Sequence, residues 1–334
     1  MAVTMRDVAA TAGVSIRTVS RVVNGQGEIS EDTRQRVMSV IQRMGYRPNL
    51  LARGLVTQRT RTIGMIIADI TNQFFATVVS GCQEIARQQG YNIFLCSNSL
   101  DVDEEEHQLR SLVAQGVDGI ILFPLYNSRV ETLQEIAQNH CPIIVINAVV
   151  EHPNIGVVLT EIYQGAAEAL DHLIQRGHRQ IGMLAGAYLQ GSVARGQRIA
   201  AYRETLVRHG IPVREELIRL SEGTIEGGYA AARSLLTEQP EVTAIFAYND
   251  MLAVGALRAC QDLGRQVPEQ CALVGFDDIP WTELVSPTLS SVRIDQRKLG
   301  RQAMQNLLHR LNPGADPPPA VTTLGVELIV RESS

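Results

Sequence analysis

From Thr62 onward the chain repeats one pattern: a short continuous apolar run, then an amphipathic stretch. The runs are IGMIIAD (63–69), YNIFLCS (91–97), GIILFP (119–124), PIIVINA (142–148), IGVVL (155–159), IGMLAG (181–186), AIFAY (244–248) and ALVGF (272–276). A strand without polar alternation has no face for water and must be covered on both sides. Helical stretches between such strands predict parallel sheets sandwiched by helices. Eight runs suffice for two sheets, so the body reads as two doubly wound parallel-sheet lobes, with ligands expected at the carboxyl ends of the strands.

The first 46 residues follow another rule and read as three short helices. Thr4 and Asp7 form a capping-box pattern before the first. Gly13 breaks the chain, Ser15 caps a second helix running to about Asn24, and Ser30 caps a third that Gly45 stops. In MRDVAATAGVSIRTVSRVVNG (5–25), Ala9 is small where two helices cross, and Val8, Val14, Val19 and Val22 supply a compact core. The second helix then exposes Ile16, Arg17, Ser20 and Arg21. A helix-turn-helix places the start of its second helix in the major groove. Arginine can bond guanine there with two hydrogen bonds, and an apolar side chain can touch a thymine methyl. Ser15, Thr18, Ser20 and Asn24 are short donors suited to phosphates. Taken alone, the same pattern also fits a helical hairpin with a solvated arginine face.

Charge distribution supports polyanion binding at this end. The whole chain carries -5, yet residues 1–60 hold nine arginines against four acids, a net of +5, which leaves -10 for the remainder. A basic head on an acidic body suits nucleic acid at one end only. The start lacks a signal-peptide pattern, since Arg6 and Asp7 fall where an apolar core would begin. No stretch reaches the roughly 18 apolar residues of a membrane span. Cys82, Cys96, Cys141, Cys260 and Cys271 are scattered without metal spacing, as expected of free thiols in a reducing cytoplasm. The seven histidines likewise show no metal spacing, so neither metal nor cofactor is expected.

The stretches DVAATAGVSIRTVSRVVNG, ISEDTRQRVMSVIQRMGYRPNLLARGL, IGMIIADITNQFFATVVSG, GVDGIILFP, YNDMLAVGAL and VGFDDIPWTELVSPTLSSVR closely resemble the lactose-repressor (LacI/GalR) family of bacterial transcriptional regulators, in order and along essentially the whole chain. The resemblance implies an all-α helix-turn-helix headpiece (1–46), a hinge (47–60) and a periplasmic-binding-protein-like α/β body (61–334). The lobes are expected at about 61–160 with 292–322, and 161–291 with 323–334. It also implies base readout by Ile16, Arg17 and Arg21, with Thr4, Ser15, Thr18, Ser20 and Asn24 completing the DNA contacts of the head. Asn49, Ala52, Arg53 and Leu55 would act from a hinge helix that forms on operator DNA, Leu55 entering the minor groove as an apolar wedge. Gly54, a poor helix former, fits a helix that orders only on binding.

In the body, the resemblance assigns Phe74, Asn147, Arg198, Asn249 and Asp277 to effector contact. One guanidinium, one carboxylate, two amides and an aromatic face suit a polyhydroxylated ligand, so a sugar or sugar derivative is expected. Structural alternatives stand beside each: Asn249 as the cap of a helix near Met251, Asp277 in a turn, Arg198 paired with a surface acid, and one of Phe74 and Phe75 as pure core. Gly223 stands where relatives often carry an aromatic, which disfavours a stacked purine, although Tyr188 or Trp281 could supply a ring. A purine-responsive regulator is the second reading, and a solute-binding receptor of the same fold the third. The absence of G-x-S-x-G, phosphate-loop and zinc motifs argues against an enzyme. The tail VELIVRESS lacks leucine heptads, so a homodimer on a pseudo-palindromic operator is expected rather than a tail-assembled tetramer.

Overall fold

The computed structural model describes residues 3–24, 28–46, 59–125, 130–139, 141–186, 193–312 and 320–334. Two compact units emerge, 1–60 and 61–334.

The first unit holds helices α1 (Met5–Ala12), α2 (Ile16–Asn24) and α3 (Glu31–Met44). The capping box forms as expected: the Asp7 N–H donates to Thr4 Oγ1 (3.3 Å), and the Thr4 N–H and hydroxyl donate to Asp7 Oδ2 (2.9 and 2.7 Å). Those bonds hold the Asp7 carboxyl below its usual range. Gly13 adopts φ 64°, the left-handed conformation that lets α2 start immediately after α1. Ser15 caps α2, accepting from the Thr18 N–H at 3.1 Å. Ser30 occupies the cap position of α3 without capping: its hydroxyl donates to Thr33 Oγ1 instead. Val8, Val19, Val22, Val37 and Val40 are buried together, with Val14 packed partly exposed at the edge.

The second unit contains two six-stranded sheets. The first comprises β1 (Thr62–Ile67), β2 (Asn92–Ser97), β3 (Gly119–Leu122), β4 (Ile143–Ile146), β5 (Ile155–Thr160) and β11 (Val321–Leu324), in the order β11-β5-β4-β3-β1-β2. The second comprises β6 (Ile181–Gly186), β7 (Ile218–Ser221), β8 (Ala244–Ala247), β9 (Ala272–Asp277), β10 (Ser290–Arg293) and β12 (Glu327–Ile329), in the order β12-β10-β9-β8-β6-β7. Every pairing is parallel except β10 with β12. The connecting helices are α4 (Gln73–Gln88), α5 (Val102–Ala114), α6 (Val130–Gln138), α7 (Ile162–Gln175), α8 (Val193–Arg208), α9 (Ile225–Glu238), α10 (Asp250–Asp262) and α11 (Gln296–Leu311).

All eight expected strands are present. The four unforeseen ones, β7, β10, β11 and β12, read IRLS, SSVR, VTTL and ELI and lack a continuous apolar run. That absence also displaces two expected lobe limits. The boundaries at 291/292 and 322/323 fall inside strands, because β10 continues to Arg293 in the second sheet and β11 to Leu324 in the first. The chain therefore crosses between sheets after Thr160, after Arg293 and after Leu324.

Core burial explains the apolar runs. Ile63, Met65, Ile121 and Ile144 of the first sheet, and Ile181, Met183, Phe246 and Phe276 of the second, are at or near zero exposure. Each such side chain contributes about 1.5–3 kcal/mol. Helices α4 and α11 cross so closely that a methyl on Gly81 would overlap the Arg297 carbonyl oxygen, and one on Gly300 the Val78 carbonyl oxygen. Backbone cannot yield as a side chain would, so Gly300→Ala is expected to destabilise the body by about 1–3 kcal/mol. A urea titration reads this as a lower midpoint at unchanged slope. An unchanged midpoint would mean the helices separate at no cost.

Candidate functional site

Two surfaces carry the candidate residues. In the first unit, α2 turns Val19 and Val22 inward while Arg17 and Arg21, four residues apart, share the exposed face with Ile16, itself 44% exposed. Thr4, Ser15 and Thr18 lie beside this face, but their hydroxyls already serve the caps: Ser15 Oγ and Thr18 Oγ1 are 2.9 Å apart. Ser20 is partly buried on α2. The Asn24 side chain and Asn49, Ala52, Arg53 and Leu55 lie outside the described residues.

In the second unit, the strand ends surround one cavity of about 560 Å³, and Phe74, Asn147, Arg198, Asn249 and Asp277 all line it. Each arrives there for a local reason. Phe74 follows Asn72, whose Oδ1 caps α4 by accepting the Phe74 N–H (3.0 Å). Asn147 ends β4 at φ 55°, a conformation asparagine tolerates better than most residues. Its Oδ1 accepts from the Thr160 N–H (2.8 Å) and hydroxyl (3.1 Å), joining the ends of β4 and β5. Asn249 does cap α10, accepting from the Leu252 N–H (2.9 Å), while its Nδ2 donates to the Gly223 carbonyl (3.2 Å). Capping and lining are thus both true of it.

Arg198 is the centre of the polar wall. Its guanidinium carbon stands 3.9 Å from the Phe276 ring centroid and 4.3 Å from that of Tyr248, and Nη2 is 3.5 Å from Asp277 Oδ1. The arginine is 4% exposed, so it pairs with an acid of the cavity and not with a surface one. Nη1 donates to the Ala194 carbonyl at 3.4 Å, and the buried Nε–H has no partner among the described residues. Both rings lie within cation–π range of the guanidinium and help hold it in the cavity wall.

Asp277 and its neighbours form a buried acidic corner. Asp277 and Asp278 have φ 105° and 54°. The loop is held by Asp250, which accepts from the Ile279 N–H (2.8 Å) and the Ser291 hydroxyl (2.6 Å). Asp250, next to Asn249, is thus a structural residue that holds this loop. Burial pushes the Asp277 carboxyl up to about 7, against the pull of Arg198. Burial and the charge of Asp277 raise Asp250 well above its usual range. The folded body therefore keeps protons that an unfolded aspartate releases near its ordinary 3.8. When the native state binds more protons, stability falls as pH rises. The part of the fall that Asp277 contributes spans 3.8 to about 7, and Asp250 adds to it in the same direction. Urea midpoints at about pH 4.5 and about pH 7.5 should show this loss, and Asp277→Asn should flatten it; an equal loss in the variant would assign the slope elsewhere.

The opposite wall is aromatic. Phe74, Phe75 and Phe123 meet edge to face with centroids 5.1–6.0 Å apart. Both Phe74 and Phe75 line the cavity, which corrects the expectation that one would be pure core; α4 begins at the cavity rim, so consecutive residues of its first turn both reach it. Trp281 does not line the cavity, and Tyr188 lies outside the described residues; Phe123 and Tyr248 supply the further rings. Buried Glu105 ties two rim loops together, accepting from Asn98 Nδ2 (2.9 Å) and the Leu125 N–H (3.1 Å).

Sequence reasoning missed Asp69, Ser99, Asp101, Phe123, Glu222 and Tyr248 as cavity residues. All follow strand ends, a signal that was present, but it does not say which residue of a loop turns inward. Among the described residues, no group of three or more histidine, cysteine or acidic side chains is placed to hold a metal, and no helix is long and apolar enough to cross a membrane. The five cysteines are free.

Comparison with known proteins assigns the whole. Residues 4–49 match the bacterial regulatory proteins of the lacI family, and residues 170–334 match the periplasmic binding protein-like domain. Catabolite control protein A of Priestia megaterium is 36% identical over 312 residues, 93% of each chain. The lac repressor dimer bound to operator and the anti-inducer ONPF is 28% identical with a TM-score of 0.88, covering 100% of this chain and 99% of that one. A complex of the transcriptional regulator CelR with cellobiose is 32% identical with a TM-score of 0.74, covering 99% of this chain and 100% of that one. These proteins are transcription regulators, not enzymes. With both parts matched in order and identity sustained along the chain, this protein belongs to the LacI family of bacterial regulatory proteins.

Proposed function

We propose that the protein is a cytoplasmic transcriptional repressor that binds a pseudo-palindromic operator as a homodimer and is controlled by a carbohydrate effector. The observation that carries this reading is the coexistence in one chain of an exposed Ile16–Arg17–Arg21 face and a polar and aromatic cavity at the strand ends. Residues 1–46 form the DNA-binding head, 47–60 the hinge and 61–334 the effector and dimerisation body. Ile16, Arg17 and Arg21 read base edges. The capped hydroxyls of Thr4, Ser15 and Thr18, with Ser20 and Asn24, position the head on phosphates. Asn49, Ala52, Arg53 and Leu55 engage the minor groove at the centre of the site. A twofold dimer reads two half-sites, hence the palindrome.

Phe74, Asn147, Arg198, Asn249 and Asp277 hold the effector. Amides, a guanidinium and a carboxylate bond vicinal hydroxyls, and the phenylalanine wall covers the apolar face of a sugar ring. Regulation requires only that the effector bind the DNA-competent and incompetent arrangements with different affinity. Gly223 presents no ring at the cavity, which favours a sugar over a stacked purine.

The test is selection of binding sites from a randomised duplex pool by the purified chain, repeated with mono- and disaccharides and nucleosides. Enrichment of one palindromic site, released or tightened by a sugar, is the expected result. No enriched site under any condition would overturn the regulator reading; modulation by nucleosides alone would overturn the carbohydrate effector.

A further inference from the structure

Resting on that carbohydrate reading, we propose that the effector is a glycoside of about two sugar rings carrying no negative charge, and that the cavity excludes phosphorylated and acidic sugars. The argument starts from the charges that line it. Asp69, Asp101, Glu222 and Asp277 are its carboxyl groups, and Arg198 is the only cationic side chain among the described lining residues. A bound phosphate or carboxylate needs donors that are free to turn toward it, and bidentate arginine is the usual provider. Arg198 is committed elsewhere: it is clamped between the rings of Tyr248 and Phe276 and faces Asp277. Its Nη1 donates to the Ala194 carbonyl, its Nη2 faces Asp277, and its Nε–H is buried without a partner among the described residues. One guanidinium whose charge already faces Asp277 can donate to hydroxyl or ring oxygens, but among four lining carboxyl groups it does not neutralise a dianion.

The acids cannot retreat either. Asp69 Oδ1 accepts the Thr71 N–H (2.8 Å) and hydroxyl (2.7 Å), and Asp101 Oδ1 caps α5 through the N–H groups of Asp103 and Glu104 (both 2.9 Å). Both carboxylates are thereby anchored by backbone donors at the rim. An anionic ligand entering this cavity leaves water, meets several fixed negative charges and gains no mobile cation. A polyol meets acceptors for its hydroxyl protons on the same groups.

Size sets the second half of the proposal. At the packing density of organic solids a hexose occupies about 200 Å³ and a pair of linked hexoses about 400 Å³. The cavity holds about 560 Å³. One ring would leave much of it to water, whereas two linked rings use most of it.

Calorimetric titration of the purified full-length chain tests this with cellobiose, maltose, trehalose, sucrose and lactose, with glucose, galactose and fructose, and with the 6-phosphate, the uronate and the 6-O-methyl ether of whichever disaccharide binds. One disaccharide is expected to bind at least about tenfold tighter than any hexose and at least about 100-fold tighter than its phosphate or uronate. The methyl ether should bind within about tenfold of the parent. The discrimination should narrow as salt is raised, because added ions screen the rim charges. In Asp101→Asn, which keeps a capping side chain, combined with Glu222→Gln, the ratio of neutral to phosphorylated affinity should shrink at least about tenfold. A phosphate or uronate that binds as tightly as the neutral sugar, or a hexose that matches the disaccharide, overturns the proposal. A methyl ether rejected as strongly as the phosphate also overturns it, because exclusion would then be steric. If nucleosides bind and no carbohydrate does, the underlying carbohydrate reading fails, and this inference falls with it.

Discussion

Arg17→Ala is expected to weaken binding to the selected operator by a factor of roughly 30 to 20,000 while leaving binding to random duplex nearly intact. A bidentate arginine–guanine pair discriminates by about 1–3 kcal/mol, and a dimer loses it in both half-sites, about 2–6 kcal/mol in all. Non-specific affinity comes from neutralised phosphates and scarcely changes when one base-reading side chain is removed. The fold of the head should survive, because Arg17 is exposed and the packing rests on Val8, Val19, Val22, Val37 and Val40. Arg43→Ala, at the exposed end of α3, is the control for charge alone and should lower both affinities together. Fluorescence anisotropy with operator and scrambled duplexes at matched salt separates these cases. If Arg17→Ala and Arg43→Ala behave alike, α2 does not read bases, and the exposed arginines serve only as counter-charges.

The second large effect is expected at Arg198. Arg198→Met keeps much of the side-chain volume beside Tyr248 and Phe276 but removes the cation that faces buried Asp277 among the described residues. A persisting uncompensated buried charge would cost about 3–5 kcal/mol. Asp277, already raised to about 7 by burial, relieves part of that by taking up a proton, so the loss is expected at about 1–3 kcal/mol. Part of that loss is recoverable. In Arg198→Met with Asp277→Asn the stranded carboxylate is gone, so the double variant should be more stable than the sum of the single losses predicts. Arg198→Lys should not restore effector binding, because an ammonium cannot stack flat on two rings or present an edge N–H to the cavity. Urea titrations of the four proteins give the coupling, and calorimetry with the bound sugar gives the affinity. Strict additivity would mean that Arg198 and Asp277 act independently in the folded state.

How much of this was legible in the sequence depends on the range of the interaction involved. Eight strands stood out because a parallel strand covered on both faces must be apolar along its whole length, as in TIGMII and IGMLAG. The three-helix head was legible for a similar reason: caps, the glycine turn and a valine core all act within a few residues. The candidate effector residues could be singled out at strand ends only through family resemblance, and the cavity does bring those five together.

Tertiary structure alone decided the rest. SSVR is a buried strand although two of its four residues are serines. Ser290 bonds to the Ser333 hydroxyl and the Arg331 backbone, and Ser291 donates to Asp250, partners more than 40 positions away. Asn249 and Asp250 are adjacent in sequence, yet one lines the cavity while the other is sealed beneath it, fixing the Asp277 loop from across the sheet. Residue type and spacing fix local conformation because caps and periodic burial are short-range effects. Whether a polar side chain is solvated, bonded inside the core or turned toward a ligand is set by partners that only the folded chain brings near, and no local pattern encodes it.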